Sequence, residues 1–354
     1  MKISHVRYRR HDLRLAEPYT IAYETIDRAT NLVLELHTAD GRHVGYGCAA
    51  PDPEVTGEDG DAVEAVIRDV LEPYLTGAEA FAYARIVRDL RDDGRVGPSG
   101  LCMVDAALHD LMARYAELPL YELLGGYRRE IATSVTIGIL PVDETLERAR
   151  DWWGRGFRII KVKGGTSLAA DVEKLTLLRE VYPALTLRFD GNQGYTEGQA
   201  IDFAARVRPL GIEIFEQPIA TRDEPGLGEV TDRTHLPIMA DESLKTLSDA
   251  FRLAQHGRVD MVNIKLQKVG GLLEGLAINS VSRAAGMEAM VGCLDECSMG
   301  IAAGLHFALS RPNIAYADLD GHLDLVEDPY AGLFTLEGGV LRPGDGYGIG
   351  EVKP

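Results

Sequence analysis

Apolar and polar residues alternate from Lys2 to Arg10 and again over "NLVLELHTADGRHVGYGCAA" (31–50), where Asp40-Gly41 separates two alternating runs. That pattern predicts strands joined by a tight turn. From about residue 58 to residue 125 the spacing changes to three and four: "DAVEAVIRDVLEPYL" and "LCMVDAALHDLMARYAELPLYELLGG" read as helices, the second stopped by Gly125-Gly126. The first third is therefore expected to be α+β. Beyond it, eight short β-rich segments alternate with helical ones: "IATSVTIGI", "FRIIKVK", "LTLRFD", "IEIFEQ", "LPIMAD", "VDMVNIK", "MEAMVGC" and "IAYADLD". Taken at Lys163, Asp190, Glu216, Asp241, Lys265, Gly292 and Asp318, the later segments end at intervals of 27, 26, 25, 24, 27 and 26 residues. This step is the length of one strand, one helix and two loops, and eight such units predict an α/β protein with a (β/α)8-type barrel, a modified TIM barrel. An open doubly wound sheet is the competing arrangement. It is disfavoured because no glycine-rich phosphate loop follows the first segment, and "GDGYGIG" (344–350) has neither the spacing nor the context of one. The expected organisation is an α+β capping domain over 1–125, the barrel over 126–324, and a C-terminal segment over 325–354, rich in strand and turn signals, that returns to the capping domain.

Charge and composition narrow the partners. Lys plus Arg is 37 and Asp plus Glu is 55, a net charge of 37 − 55 = −18, which argues against nucleic acid or anionic membrane as a ligand. Solubility alone accounts for most of that charge. No apolar run approaches the roughly 18 residues of a membrane span. The opening "MKISHVRYRR" lacks the apolar core of a signal peptide, so a cytoplasmic protein is the expectation. Cys48, Cys102, Cys293 and Cys297 show no metal-binding spacing and are expected to be reduced and mostly buried.

The candidate chemistry lies at the segment ends, which in a barrel of this kind meet at the C-terminal face. Lys163 closes the second segment, Asp190, Glu216 and Asp241 the third to fifth, Lys265 the sixth, and Asp318 with Asp320 the eighth. Any one of these acids alone reads more simply as a helix cap or a turn residue. Three on consecutive strands repel unless a cation holds them, and an all-oxygen set suits Mg2+ better than zinc. The second and sixth strands stand opposite in a ring of eight, so Lys163 and Lys265 face each other across the mouth. Such a pair beside a cation points to proton transfer at carbon: one lysine removes a proton from one face, the other returns it to the opposite face, and the metal neutralises the enolate oxygen. Lys161, on the same side of its strand as Lys163, and Lys268, close to Lys265, are expected to depress the pKa values of the two reacting amines.

"KVK" (161–163), "DGN" (190–192), "EQP" (216–218), "DES" (241–243) and "NIKLQKVGG" (263–271) together resemble the motif series of the enolase superfamily, muconate-lactonizing subgroup, over nearly the whole chain. The resemblance implies one Mg2+ per subunit on Asp190, Glu216 and Asp241, with Lys163 and Lys265 as the acid and base pair and Asn192, Lys268 and Glu242 supporting them. "DLDG" (318–321) is similar to the aspartate pair with which dipeptide epimerases of that subgroup hold the substrate's α-ammonium, which implies that role for Asp318 and Asp320, with Thr136 and Lys161 also beside the substrate. The loops near residues 24 and 54 and the loop "GCLDECSMG" are expected to set side-chain preference. Epimerases acting on Ala-Glu look similar but carry an arginine where this chain has Glu24. With Glu24, Asp52, Glu54, Asp295 and Glu296 offering only acids, a dipeptide with a cationic or otherwise non-acidic C-terminal residue is the expected substrate. The absence of a histidine at the ends of the sixth and seventh segments separates the chain from acid-sugar dehydratases and mandelate-type racemases. The remaining alternatives are an N-acylamino acid racemase or o-succinylbenzoate synthase and, outside enzymes, a metal-binding barrel serving as a scaffold. His306 and Trp152-Trp153 read as buried or interface residues, and a homo-oligomer is expected.

Overall fold

The computed structural model describes residues 1–21 and 24–352, with side chains described outside 17–26. β1 (Ile3–Ile21), β2 (Glu24–Thr38) and β3 (Val44–Ala49) form an antiparallel sheet in that order. The turn between β2 and β3 is the predicted one: Gly41 has φ +69°, and the Arg42 amide donates to Asp40 Oδ1 at 3.1 Å. Alternation along β2 divides its side chains between two cores. Leu32, Leu34 and Leu36 pack against the N-terminal helices, whereas Val33 joins the core shared with the barrel. The helix Pro98–Tyr115 lies directly on β3, because Gly45 and Gly47 carry no Cβ; one added at either position would collide with the carbonyl oxygens of Ala107 and Met103. The first predicted helix forms over Gly60–Leu75, capped by the Asp59 side chain and interrupted by a wide turn at Ile67–Leu71.

The segment "IATSVTIGI" holds two strands rather than one: β4 (Ile131–Ala132), outside the ring, and β5 (Val135–Ile137), the first barrel strand. β6 (Ile159–Lys163), β7 (Thr186–Asp190), β8 (Ile214–Glu216), β9 (Ile238–Ala240), β10 (Met261–Lys265), β11 (Glu288–Gly292) and β12 (Ile314–Asp318) follow in unbroken parallel order. The ring closes where the Ser134 amide donates to Ala317 O at 3.1 Å. Along each strand one set of residues faces the helices: Val162, Phe189, Phe215, Ala240, Val262 and Val291 are fully buried there. The other set faces inward. At the lower end it forms a separate apolar floor of Ile214, Met239, Met261 and Met290 beside Tyr316, with Arg188 bonded to Glu213 at 2.7 Å and to Ala317 O at 2.9 Å.

β13 (Phe334–Glu337) and β14 (Val340–Pro343) form a hairpin, and β14 pairs with β4 through Leu341 and Ile131. The hairpin thus joins the strand that leads into the barrel rather than the N-terminal sheet. Before the hairpin the C-terminal segment meets β1, where Val326 N donates to Arg14 O at 2.8 Å, and beyond it the chain reaches the N-terminal helix, where Ile349 N donates to Asp110 Oδ1 at 2.7 Å and Arg114 donates to Gly350 O at 2.7 Å. Among the described residues no helix is long and apolar enough to cross a membrane.

Candidate active site

The inward residues change character at the C-terminal ends of the strands. In-register pairs carry Lys163 beside Asp190, Asp190 beside Glu216, and Gly292 between Lys265 and Asp318. Above them lies a cavity of about 240 Å³ lined by Lys163, Asp190, Asp241, Lys265, Asp318 and Asp320, and covered in part by Asp52, Glu54 and Val55 of the capping domain. β6 and β10 are four positions apart in the eight-stranded order, so Lys163 and Lys265 stand on opposite walls of one cavity.

Burial sets the electrostatics. Asp190, Glu216 and Asp241 are all buried. Glu216 accepts from Asn263 Nδ2 at 2.6 Å through Oε1, while its buried Oε2 accepts no hydrogen bond among the described residues. Burial, reinforced by the neighbouring acids and only partly offset by Lys161, pushes this carboxyl up to about 7. Asp190, whose Oδ1 accepts from Asn192 N at 2.9 Å, is raised by burial despite Lys161 and Lys163. Asp241 goes the other way. Burial alone would raise it, but Lys265 at 2.9 Å and Lys268 at 2.5 Å each hold one oxygen and keep the carboxyl well below the usual range.

These pairings revise two expectations about the lysines. Lys265 is not depressed: burial opposes its charge, but Asp241 outweighs burial and raises it. The depressed lysine is Lys268, for which burial and the Lys265 charge prevail over Asp241. Lys161 directs its ammonium to Asp318, with Glu216 at 3.5 Å and Asp190 at 3.9 Å, and these acids hold it well above its ordinary value although it is buried. It is an internal counter-ion that also lines the cavity.

On the last strand, Asp318 accepts from Ser134 Oγ at 2.6 Å as well as from Lys161, and Lys161 outweighs burial to lower it. Asp320 accepts from the Thr136 amide at 2.6 Å; burial and the adjacent Asp318 raise it to about 6. Two acids of one short motif thus sit in different protonation environments.

Other expected residues divide. Thr136, Asn192, Glu242 and Asp295 line the cavity. Glu296 does not face it: the side chain is buried, accepting from Gln267 Nε2 at 3.0 Å and Leu294 N at 3.1 Å, and burial raises it to about 7. Its partner Gln267 also bonds Cys48 O and Ala50 N and so ties the capping domain to the barrel. The Glu24 side chain lies outside the described residues. Asn263 and Ser134 were missed, although Asn263, two residues before Lys265, shares its face by strand alternation. Lys245, which donates to Val55 O at 3.0 Å, and Asp324 also line the cavity without having been singled out.

As the side chains stand, no three His, Cys, Asp or Glu residues among the described residues are grouped to hold a metal ion. Lys265 and Lys268 occupy the oxygens of Asp241, and Lys161 faces the other two acids. The donor set nevertheless fits Mg2+: three carboxylates at the ends of neighbouring strands, and a buried Glu216 oxygen that accepts no hydrogen bond among the described residues.

Comparison with known proteins is consistent along the chain. Residues 3–125 match the family described as mandelate racemase / muconate lactonizing enzyme, N-terminal domain, and residues 144–352 match enolase C-terminal domain-like. A Methylococcus capsulatus protein named L-Lys-D/L-Arg epimerase is 39% identical, covering 100% of both chains. A Bacillus subtilis protein named L-Ala-D/L-Glu epimerase is 36% identical, covering 99% of this chain and 97% of its own. The crystal structure of the dipeptide epimerase from Methylococcus capsulatus complexed with Mg and the dipeptide L-Arg-D-Lys superposes with a TM-score of 0.94, at 39% identity and 100% coverage of both chains.

Proposed function

Because the chain belongs to the enolase superfamily, with the N-terminal domain of the mandelate racemase / muconate lactonizing enzymes, we propose that it is a Mg2+-dependent dipeptide epimerase inverting the α-carbon of the C-terminal residue. The observation that carries this reading is the placement of Lys163 and Lys265 on opposite walls of a cavity that also presents Asp318 and Asp320. Asp190, Glu216 and Asp241 would hold the metal. Bound there, Mg2+ supplies positive charge against the carboxylate end of the substrate, where negative charge builds as the α-proton leaves. Lys163 and Lys265 exchange roles according to the epimer: one takes the α-proton on its amine, and the other gives a proton to the opposite face. A proton taken from one wall and replaced from the other inverts the centre. Asp318 and Asp320 receive the substrate ammonium, and Asp320, buried and raised to about 6, gains a cation that lowers the cost of its charge.

Side-chain preference follows from the rim. Asp52, Glu54, Asp295 and Asp324 line the cavity there, with Lys245 as the nearby cation already bonded to Val55 O. A cationic or neutral C-terminal residue meets attraction or indifference, and an acidic one meets repulsion. The experiment is to incubate a dipeptide panel with protein and Mg2+ in D2O and follow α-proton exchange by NMR. Lysine- and arginine-containing dipeptides are expected to exchange fastest, and a preference for Ala-Glu would overturn the side-chain assignment.

A further inference from the structure

The structure assigns Gln217 as the positioning residue that sets the spacing among the acids of β7, β8 and β9, an inference that rests on the Mg2+ reading above. Gln217 directly follows Glu216, is 0% exposed, and takes φ +30°, a backbone conformation unusual for a residue with a side chain. Such a conformation persists where its surroundings over-determine it. Here they do. Its Oε1 accepts from Asp241 N at 3.0 Å and Ser243 N at 3.1 Å, and its Nε2 donates to Ile219 O and Ser243 Oγ, both at 2.9 Å. Two lone pairs and two N–H groups are the whole capacity of an amide, and all four are used. The main chain of the same residue reaches both neighbours: its carbonyl accepts from Gln193 N at 2.8 Å, in the loop after Asp190, and its amide donates to Met239 O at 2.8 Å.

One residue therefore joins the loops that carry Asp190, Glu216 and Asp241. Lys265 and Lys268 hold the Asp241 carboxylate, but Gln217 holds the Asp241 main chain, and so its position relative to Glu216. Groups that orient metal ligands in this way typically govern affinity by about 10- to 100-fold.

The test is calorimetric titration of Mg2+ into the full-length protein and into Gln217→Met, which keeps a side chain of similar length and removes its four polar contacts while leaving the main-chain bonds to Gln193 and Met239 in place. Gln217→Asn, which keeps the amide but is one methylene short, serves as a milder second variant. Metal-free melting temperature is measured alongside. The expected result is an Mg2+ dissociation constant raised about 10- to 100-fold, with most of the lost turnover restored at saturating Mg2+. A folded variant that binds Mg2+ within twofold of wild type overturns the assignment, as does a lowered melting temperature with Mg2+ affinity kept. Wild-type protein that binds no Mg2+ would overturn the functional reading together with this one, whereas wild-type binding matched by the variants would strike Gln217 alone.

Discussion

The floor and the mouth of the barrel are built by the same strands and the same alternation, yet they solve burial in opposite ways. At the floor, Ile214, Met239, Met261 and Met290 fill the interior by apolar contact. Two residues further along, β8, β10 and β11 offer Glu216, Asn263 with Lys265 beyond it, and Gly292. There the interior is held by charge: Lys161 against Asp318, Glu216 and Asp190, and Lys265 and Lys268 against Asp241. Apolar contact is saturated once the volume is filled, but a network of buried ions with more acids than close cations keeps a demand for positive charge. Glu216, raised to about 7 by burial, marks where that demand is unmet. A chain that needed only stability would be expected to continue the floor upward. Gly292 shows the reverse: a Cβ there would crowd the Asn263 amide, so volume is surrendered to keep Asn263 on Glu216.

Substitutions at the two ends should separate activity from stability. Lys163→Ala is expected to reduce epimerisation by about 10²- to 10⁴-fold, measured by chiral analysis of the products, with a melting temperature close to wild type; Lys265→Ala should reduce it as much but also lower the melting temperature, because it strips one of the two cations from the buried Asp241 carboxylate. Met239→Ala at the floor should do the opposite, costing about 2–5 kcal/mol in denaturant unfolding while turnover per folded molecule is preserved. The pH dependence of stability sharpens the contrast. Glu296 and Glu216 are raised from the ordinary carboxyl value of 4.5 to about 7, so the folded protein binds more protons than the unfolded chain between these values, and metal-free stability falls as pH rises through that window. Glu296→Gln should remove its share, on the order of 3 kcal/mol, and flatten the curve of unfolding free energy between pH 4.5 and 7. Asp320→Asn should raise KM for dipeptides roughly tenfold and leave an N-acyl amino acid, which has no ammonium, unaffected. The smallest effect is expected from Lys245→Ala, which loses one exposed bond to Val55 O and should change KM by less than about threefold.

Most of the frame was legible because it repeats. A step of 24–27 residues recurs with a charged residue at six of the seven strand ends counted, and periodicity of that kind survives local ambiguity. The opposition of Lys163 and Lys265 needed only the ring, and the acids on adjacent strands needed only their order. What stayed hidden depends on contacts between strands distant in sequence. Lys161 looked like a modulator of Lys163, but its closest partner is Asp318, brought near by closure of the ring between β12 and the start of β5. Asp295 and Glu296 are adjacent acids with the same letters' worth of evidence, and the turn places one on the cavity and the other under it, on Gln267. The two strands within "IATSVTIGI" could not be divided by alternation alone, since β4 takes its register from a hairpin some 200 residues later. Gln217 stands in the "EQP" motif, but its role could not be read there, because the main-chain groups its side-chain amide binds, Asp241 N and Ser243 N, belong to a loop about 25 residues further on and every sequence has such groups.

The central claim is that two amines on opposite walls serve one carbon, and epimer-resolved α-proton exchange in D2O with Mg2+ and a lysine-containing dipeptide tests it most directly. Wild type should wash deuterium into both epimers; Lys163→Ala and Lys265→Ala should each exchange only one epimer, a different one in each case, and neither should invert the centre. If both variants invert it at wild-type rates, or if both exchange the same epimer, the opposed-lysine account is wrong.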